Sequence, residues 1–139
     1  MGNDYPQCFA CGKENPISLG LEFEQIAVQQ VRAEFVPGPN HQGYEGIMHG
    51  GLVTTLLDEA MVQVIVAQGI EAVTAEIKVR FKSPVRIGER LSIFGKITGN
   101  KGRMVLTEGE LHDQEGNILV LAEAKFIKLA AALNKEEKE

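Results

Sequence analysis

A histidine and two glycines, His49-Gly50-Gly51, run straight into an apolar stretch, 52–67, that carries two adjacent carboxylates, Asp58 and Glu59. The first turn of a helix leaves backbone N–H groups unpaired and carries a partial positive charge, which suits a carbonyl oxygen that becomes negative during reaction. Glycine there lets a ligand approach the backbone closely. Asp58 lies seven residues past Gly51. On a 3.6-residue helix it returns to nearly the same face, roughly 10 Å along the axis. The chemistry implied is that of an acyl group, with N–H donors for its oxygen and a carboxylate to attack its carbon or activate water. The stripe Gly51, Thr54, Asp58, Val62, Ile65 is mostly apolar, so a charge on it is costly without a use. Glu59, about 100° further round with Thr55, Gln63 and Val66, is the alternative carboxylate. His49 could act as a general base, but its place at the turn favours a positioning role through hydrogen bonding.

The other reactive types are Cys8 and Cys11, in Cys8-Phe9-Ala10-Cys11-Gly12. Two thiols fall short of the four ligands of a structural zinc site; a neighbouring subunit or a histidine would have to supply the rest. A redox pair opens a helix after a strand, whereas here Lys13-Glu14-Asn15-Pro16 follows, a turn-like run. The expectation is therefore a pair of turn cysteines, with no metal and no redox cofactor. Arg80, Lys82, Arg86, Lys101 and Arg103 suit phosphate groups, though a solvated polar face accounts for them equally well, and no P-loop is present.

The elements that must position these residues are legible from periodicity. The chain of 139 residues reads as one domain, 1–139, with 44% apolar and 24% charged residues. A net charge of −5 argues against nucleic acid as a partner. No unbroken 18-residue apolar run suggests a membrane span. The first residues lack the layout of a signal peptide, and Pro6 stands where a myristoylation signal wants Ser or Thr, so a cytoplasmic location is expected. Residues 1–17 form a turn segment holding the cysteine motif. Strands are predicted at 19–24 and 31–36, then a loop at 37–48 and a helix over about 50–68 stopped by Gly69. Val73, Ala75, Ile77, Val79 and Phe81 alternate with Thr74, Glu76, Lys78, Arg80 and Lys82, which puts Thr74 on a polar row. Strands at 90–98, 104–112 and 118–129 follow, with turns at 99–102 and 113–117, and the charged tail 134–139 is expected to fray. A helix this apolar (Leu52, Val53, Leu56, Leu57, Ala60, Met61, Val64) must be wrapped by a curved antiparallel sheet, an α+β architecture. The sheet's edges and outer face need cover, which predicts self-association.

This order, with Gly43-Tyr44-Glu45-Gly46-Ile47-Met48-His49-Gly50-Gly51, Leu57-Asp58 and the strand from Ala72 to Pro84, resembles the hotdog-fold thioesterases, in particular the PaaI-like acyl-CoA thioesterase group. Cys8 to Pro16 and Leu19-Gly20-Leu21 resemble one branch of it. The resemblance spans nearly the whole chain. It implies hydrolysis of an acyl-CoA thioester, with the Gly50 N–H polarising the carbonyl and Asp58 as nucleophile or base. Thr74 would orient the water. Such active sites lie between subunits, so the helix start and Asp58 would come from different chains of a homodimer, alone or paired into a tetramer. Some relatives place Asn or Gln where Gly43 stands, and Gln42 next door could take that role. His49, Gly51, Gln42, Glu59, Arg80 and Lys82 complete the expected substrate-binding set. Two alternatives share the fold: a non-catalytic acyl-CoA binding or regulatory module, and hydration of an enoyl thioester, which would need a histidine paired with the carboxylate.

Overall fold

The computed structural model describes residues 5–129. One long helix, α1 (Gly50–Val66), lies against a single six-stranded sheet. The strands are β1 (Glu24–Ala27), β2 (Gln30–Phe35), β3 (Ala72–Phe81), β4 (Leu91–Lys101), β5 (Met104–His112) and β6 (Ile118–Lys128). Their spatial order is β1-β2-β4-β5-β6-β3, with every pairing antiparallel. The hotdog architecture expected from the sequence is the one observed. Because α1 follows β2, β3 enters the sheet at its far edge and β4 returns to β2.

The core forms where the helix meets the inner face of the sheet. Val53, Leu56, Leu57, Ala60, Met61, Val64 and Ile65 are buried, and they meet Val31, Leu91, Ile93, Val105, Leu111, Val120 and Phe126. Each large side chain removed from water contributes about 1.5–3 kcal/mol, and this interface holds the helix more firmly than its propensity would. Gly95, mid-β4, makes the close approach possible. A Cβ there would collide with the backbone carbonyl of Ala60, which cannot move without shifting the helix.

Three of the expected element boundaries need correction. Residues 19–23 pair with no strand, and Gly20 stands at φ 69°. Instead the Leu19 and Leu21 N–H groups donate to the carbonyls of Phe9 and Ala10, so the N-terminal turn takes up that backbone. The turn expected at 99–102 is strand as far as Lys101, which pairs with Met104 across a two-residue link with Gly102 at φ 59°. Helix α1 ends at Val66, and Gly69, at φ 77°, makes the turn that follows.

The third strand departs from strict alternation. Thr74 pairs with Phe126 and Glu76 with Lys125, which leaves Ala75 as an extra residue in a β-bulge. One inserted residue reverses which face each side chain takes. Thr74 therefore shares the inner face with buried Phe126, while Glu76 and Lys78 face outward and pair with Lys125 and Glu123. The expectation that Thr74 belongs to one polar row with Glu76, Lys78 and Arg80 fails at this bulge. The tail at 134–139 lies outside the described residues. Among the described residues, no helix is long and apolar enough to cross a membrane.

Candidate active site

The helix start is assembled by short-range hydrogen bonds. His49 caps α1, its ring Nδ1 accepting the Gly51 N–H at 2.9 Å. Its own N–H donates to the His41 carbonyl. His41 is fixed in turn by accepting the Gly38 N–H on its ring. The Gly51 donor is thus spent on the cap. The Gly50 N–H has no acceptor among the described residues, and Gly50 is exposed. It faces an open cavity of about 690 Å³ whose lining includes Tyr44, Met48, His49, Phe81 and Lys82. The Phe81 ring stands 3.6 Å from where a Gly50 Cβ would be, in ordinary contact distance. Phe81, half exposed at the end of β3, is a wall residue that the sequence reading missed. Nothing in its strand pattern marks it, because the contact joins two distant elements.

Gln42 does not open onto this cavity. Its Nε2 donates to the Pro39 carbonyl and its Oε1 accepts the Gly46 N–H at 2.7 Å, so both ends of the amide hold its own loop together. Lys82 lines the cavity, whereas Arg80 lines a separate depression on the outer face of the sheet with Lys78, Glu108 and Glu123. Neither Arg80 nor Lys82 is in an ion pair among the described residues.

The second constellation lies two turns along α1. Asp58 is half-buried, and the Thr74 hydroxyl donates to its Oδ1 at 2.8 Å. Burial pushes the Asp58 carboxyl above its ordinary range; the Thr74 hydrogen bond, favouring the charged form, pulls partly back. The bulge at Ala75 makes this bond possible, since strict alternation would turn Thr74 away from the helix. A carboxylate held by one hydroxyl and raised by burial is suited to take a proton from water or to attack a carbonyl. No histidine among the described residues contacts Asp58: His41 and His49 hold backbone N–H groups, and His112 sits 2.8 Å from Glu110. Within one chain, the histidine–carboxylate pair that a hydration reaction would need is not built at Asp58.

Glu59 faces elsewhere. It is buried, accepts a 2.9 Å hydrogen bond from Gln63 Nε2, and lies against Cys8 and Cys11 of the N-terminal turn. The i, i+4 spacing of Glu59 and Gln63 was a visible signal for that contact; the cysteines were not.

Comparison with known proteins places this geometry. Residues 45–120, more than half of the chain, match the family described as the thioesterase superfamily. The acyl-coenzyme A thioesterase THEM4 of Xenopus laevis is 32% identical over 108 residues, covering 77% of this chain and 49% of that protein. The chain spans about half the length of the curated relatives it matches. Among solved structures, the thioesterase superfamily protein RHA08564 superposes with a TM-score of 0.81 at 27% identity, over 85% of this chain and 61% of that one. The E. coli PaaI protein from the phenylacetic acid degradation operon gives 0.75 at 18% identity, over 80% of each chain. The smu.793 protein of Streptococcus mutans UA159, bound to acetyl-CoA, gives 0.74 at 18%, over 78% of this chain and 88% of that one. The sheet that wraps one apolar helix, the glycine pair at its start and the match across 45–120 agree: this chain belongs to the thioesterase superfamily.

Proposed function

We propose that the protein hydrolyses an acyl-CoA thioester to the free acid and coenzyme A, in a site shared by two copies of the chain. The observation that carries this reading is the Gly50 N–H, left without an acceptor among the described residues at the start of an α-helix, on a residue that lines an open cavity. Such a donor, aimed at the developing oxyanion, is worth roughly 3–4 kcal/mol in the transition state. Asp58, held by Thr74, attacks the thioester carbon or deprotonates the water that does. The tetrahedral intermediate then collapses and expels the thiolate, which takes a proton and leaves as the free thiol; where Asp58 is itself the nucleophile, water then hydrolyses the acyl–Asp58 anhydride to release the free acid. Lys82, on the cavity wall and without an ion pair among the described residues, is placed to meet a coenzyme phosphate. The name of the THEM4 relative and the acetyl-CoA bound to the Streptococcus mutans protein support the substrate class.

The distance between the two constellations argues for two chains. Gly50 and Asp58 are eight residues apart on one helix, roughly 12 Å of rise, too far for both to touch one carbonyl group. Strand β3 pairs only with β6 among the described residues, leaving its other edge open beside Thr74 and Phe81. Val73 and Phe81 on it are about half exposed. A second copy on this edge would bring its Gly50 toward Asp58 and cover the unpaired backbone.

Two variants test the arrangement. Gly50→Pro deletes the N–H at the first helical position, where proline is tolerated, and should lower thiol release from acyl-CoA esters by roughly 10²–10³. Asp58→Asn should lower it at least about a hundredfold with ester binding retained. Co-refolding the two inactive chains then restores one intact site per mixed dimer, roughly a quarter of wild-type activity at equal amounts. No recovery from mixed dimers places both groups in one chain. A wild type that binds the esters without releasing thiol makes the protein an acyl-CoA binding module.

A further inference from the structure

We propose that Cys8, Cys11 and Glu59 form a binding site for a thiophilic divalent cation of the zinc class, which fastens the N-terminal turn to the middle of α1. The two Sγ atoms and a carboxylate oxygen of Glu59 all lie within 4.8 Å of one another. In a tetrahedral site with metal–sulfur and metal–oxygen distances near 2.3 and 2.1 Å, ligand atoms sit roughly 3.5–3.8 Å apart, so a contraction of about 1 Å closes the shell. The residues come from two distant parts of the chain and are not gathered by helical periodicity.

Charge is the stronger argument. Glu59 and Thr107 are the buried polar or charged residues among those described, and Thr107 is neutral. No Lys or Arg among the described residues forms an ion pair with Glu59. A buried carboxylate facing two thiols on an apolar helix is expensive without a cation. A dication removes that conflict. Both thiols release their protons to solvent, and two thiolates with one carboxylate then surround it, leaving one net negative charge.

The scaffold suits a chelate. The Gly12 N–H donates to the Cys8 carbonyl at 2.8 Å and the Glu14 N–H to the Pro6 carbonyl at 2.9 Å, folding residues 6–14 into a compact knuckle. A Cβ on Gly12 would strike the backbone of Pro6 and Cys8, so the knuckle closes only around glycine. Gln63 Nε2, 2.9 Å from Glu59 and 3.9 Å from Cys11 Sγ, supplies the outer hydrogen bond that orients a metal-bound carboxylate. Three protein ligands leave the fourth position for water.

The test is a titration of the reduced, chelator-treated wild-type protein with Co²⁺, followed by displacement with Zn²⁺. One equivalent per chain, with thiolate-to-cobalt charge-transfer absorption that Zn²⁺ abolishes, is expected. Cys8→Ser and Cys11→Ser should lose that absorption. Glu59→Gln, which keeps the shape and the Gln63 contact, should weaken Co²⁺ binding by at least about tenfold. Zn²⁺ should also raise the melting temperature of the wild type, since it binds the folded chain preferentially. A reduced wild type that takes up no Co²⁺, or a Glu59→Gln chain that binds it as tightly as the wild type, overturns the proposal. These two titrations decide the matter even if a serine variant does not fold. None depends on thioester hydrolysis.

Discussion

Asp58 and Glu59 are consecutive, carry the same functional group and ride the same helix, yet their surroundings differ in kind. Asp58 is half-buried and its carboxylate is met by one hydroxyl, from a bulged strand at the sheet edge. Glu59, about 100° round the helix, is buried against two thiols of the N-terminal turn and the Gln63 amide one helical turn along α1. One carboxylate faces an edge that remains open for a substrate or a partner; the other is enclosed by its own chain. The difference lies in what packs against each side of α1. Chemistry needs an approachable group whose proton affinity has been moved, whereas anchoring needs an enclosed one whose partners are complete.

The contrast is easiest to break at the level of turnover. Asp58→Asn keeps an acceptor for the Thr74 hydroxyl but removes the charge, and thiol release should fall at least about a hundredfold. If Glu59→Gln fell as far while its melting temperature held, the two carboxylates would share one role. Gly12→Ala probes the enclosed side. Because the new methyl meets backbone rather than a flexible side chain, denaturant unfolding should show a loss of about 1–3 kcal/mol. Co²⁺ uptake should fall with it.

A smaller effect is expected at Thr74. Thr74→Val removes the hydrogen bond that partly offsets burial at Asp58, so the Asp58 carboxyl should rise further. The acid limb of the kcat/KM profile should then move to higher pH, and Thr74→Ser should restore it. A limb that stays in place would show that Asp58 is not the titrating group.

The smallest effect concerns stability. The Asp58 carboxyl is raised in the folded chain, so the folded state keeps a proton that the unfolded chain has released over the intervening pH range. This contribution is fully present below the ordinary carboxylate pKa and is lost as pH rises through the folded value. At neutral pH, Asp58→Asn should therefore melt slightly higher than the wild type, by a few degrees at most. That advantage should vanish as the pH falls below the ordinary carboxylate range. Thermal scans of the two proteins across pH read it directly.

Much of the molecule was open to inspection in the sequence because it depends on local spacing. The apolar surface of α1 from Val53 to Val64, the glycine pair after His49, the turn at Gly69 and five of the six strands follow from periodicity and turn chemistry. The capping role of His49 follows too, since a side chain two residues before an N–H reaches it without help from the fold. The first strand was misplaced because residues 19–23 carry a strand's alternation, and only the neighbouring backbone decides whether an alternating segment joins the sheet or binds a turn.

What the tertiary structure alone decided is which groups meet. Alternation put Thr74 with Glu76 and Arg80; one extra residue in the register with β6 turned it to Asp58. Cys8 and Cys11 looked two ligands short, and the fold carried Glu59 to them across some fifty residues of chain. Gln42 looked like a substrate contact, and its loop consumed both ends of its amide. Short-range spacing is written in the order of residues and can be read from it. Contacts across the chain depend on bulges, close approaches such as Gly95 to Ala60 and hydrogen-bond competition, which are settled only when the helix and sheet have packed.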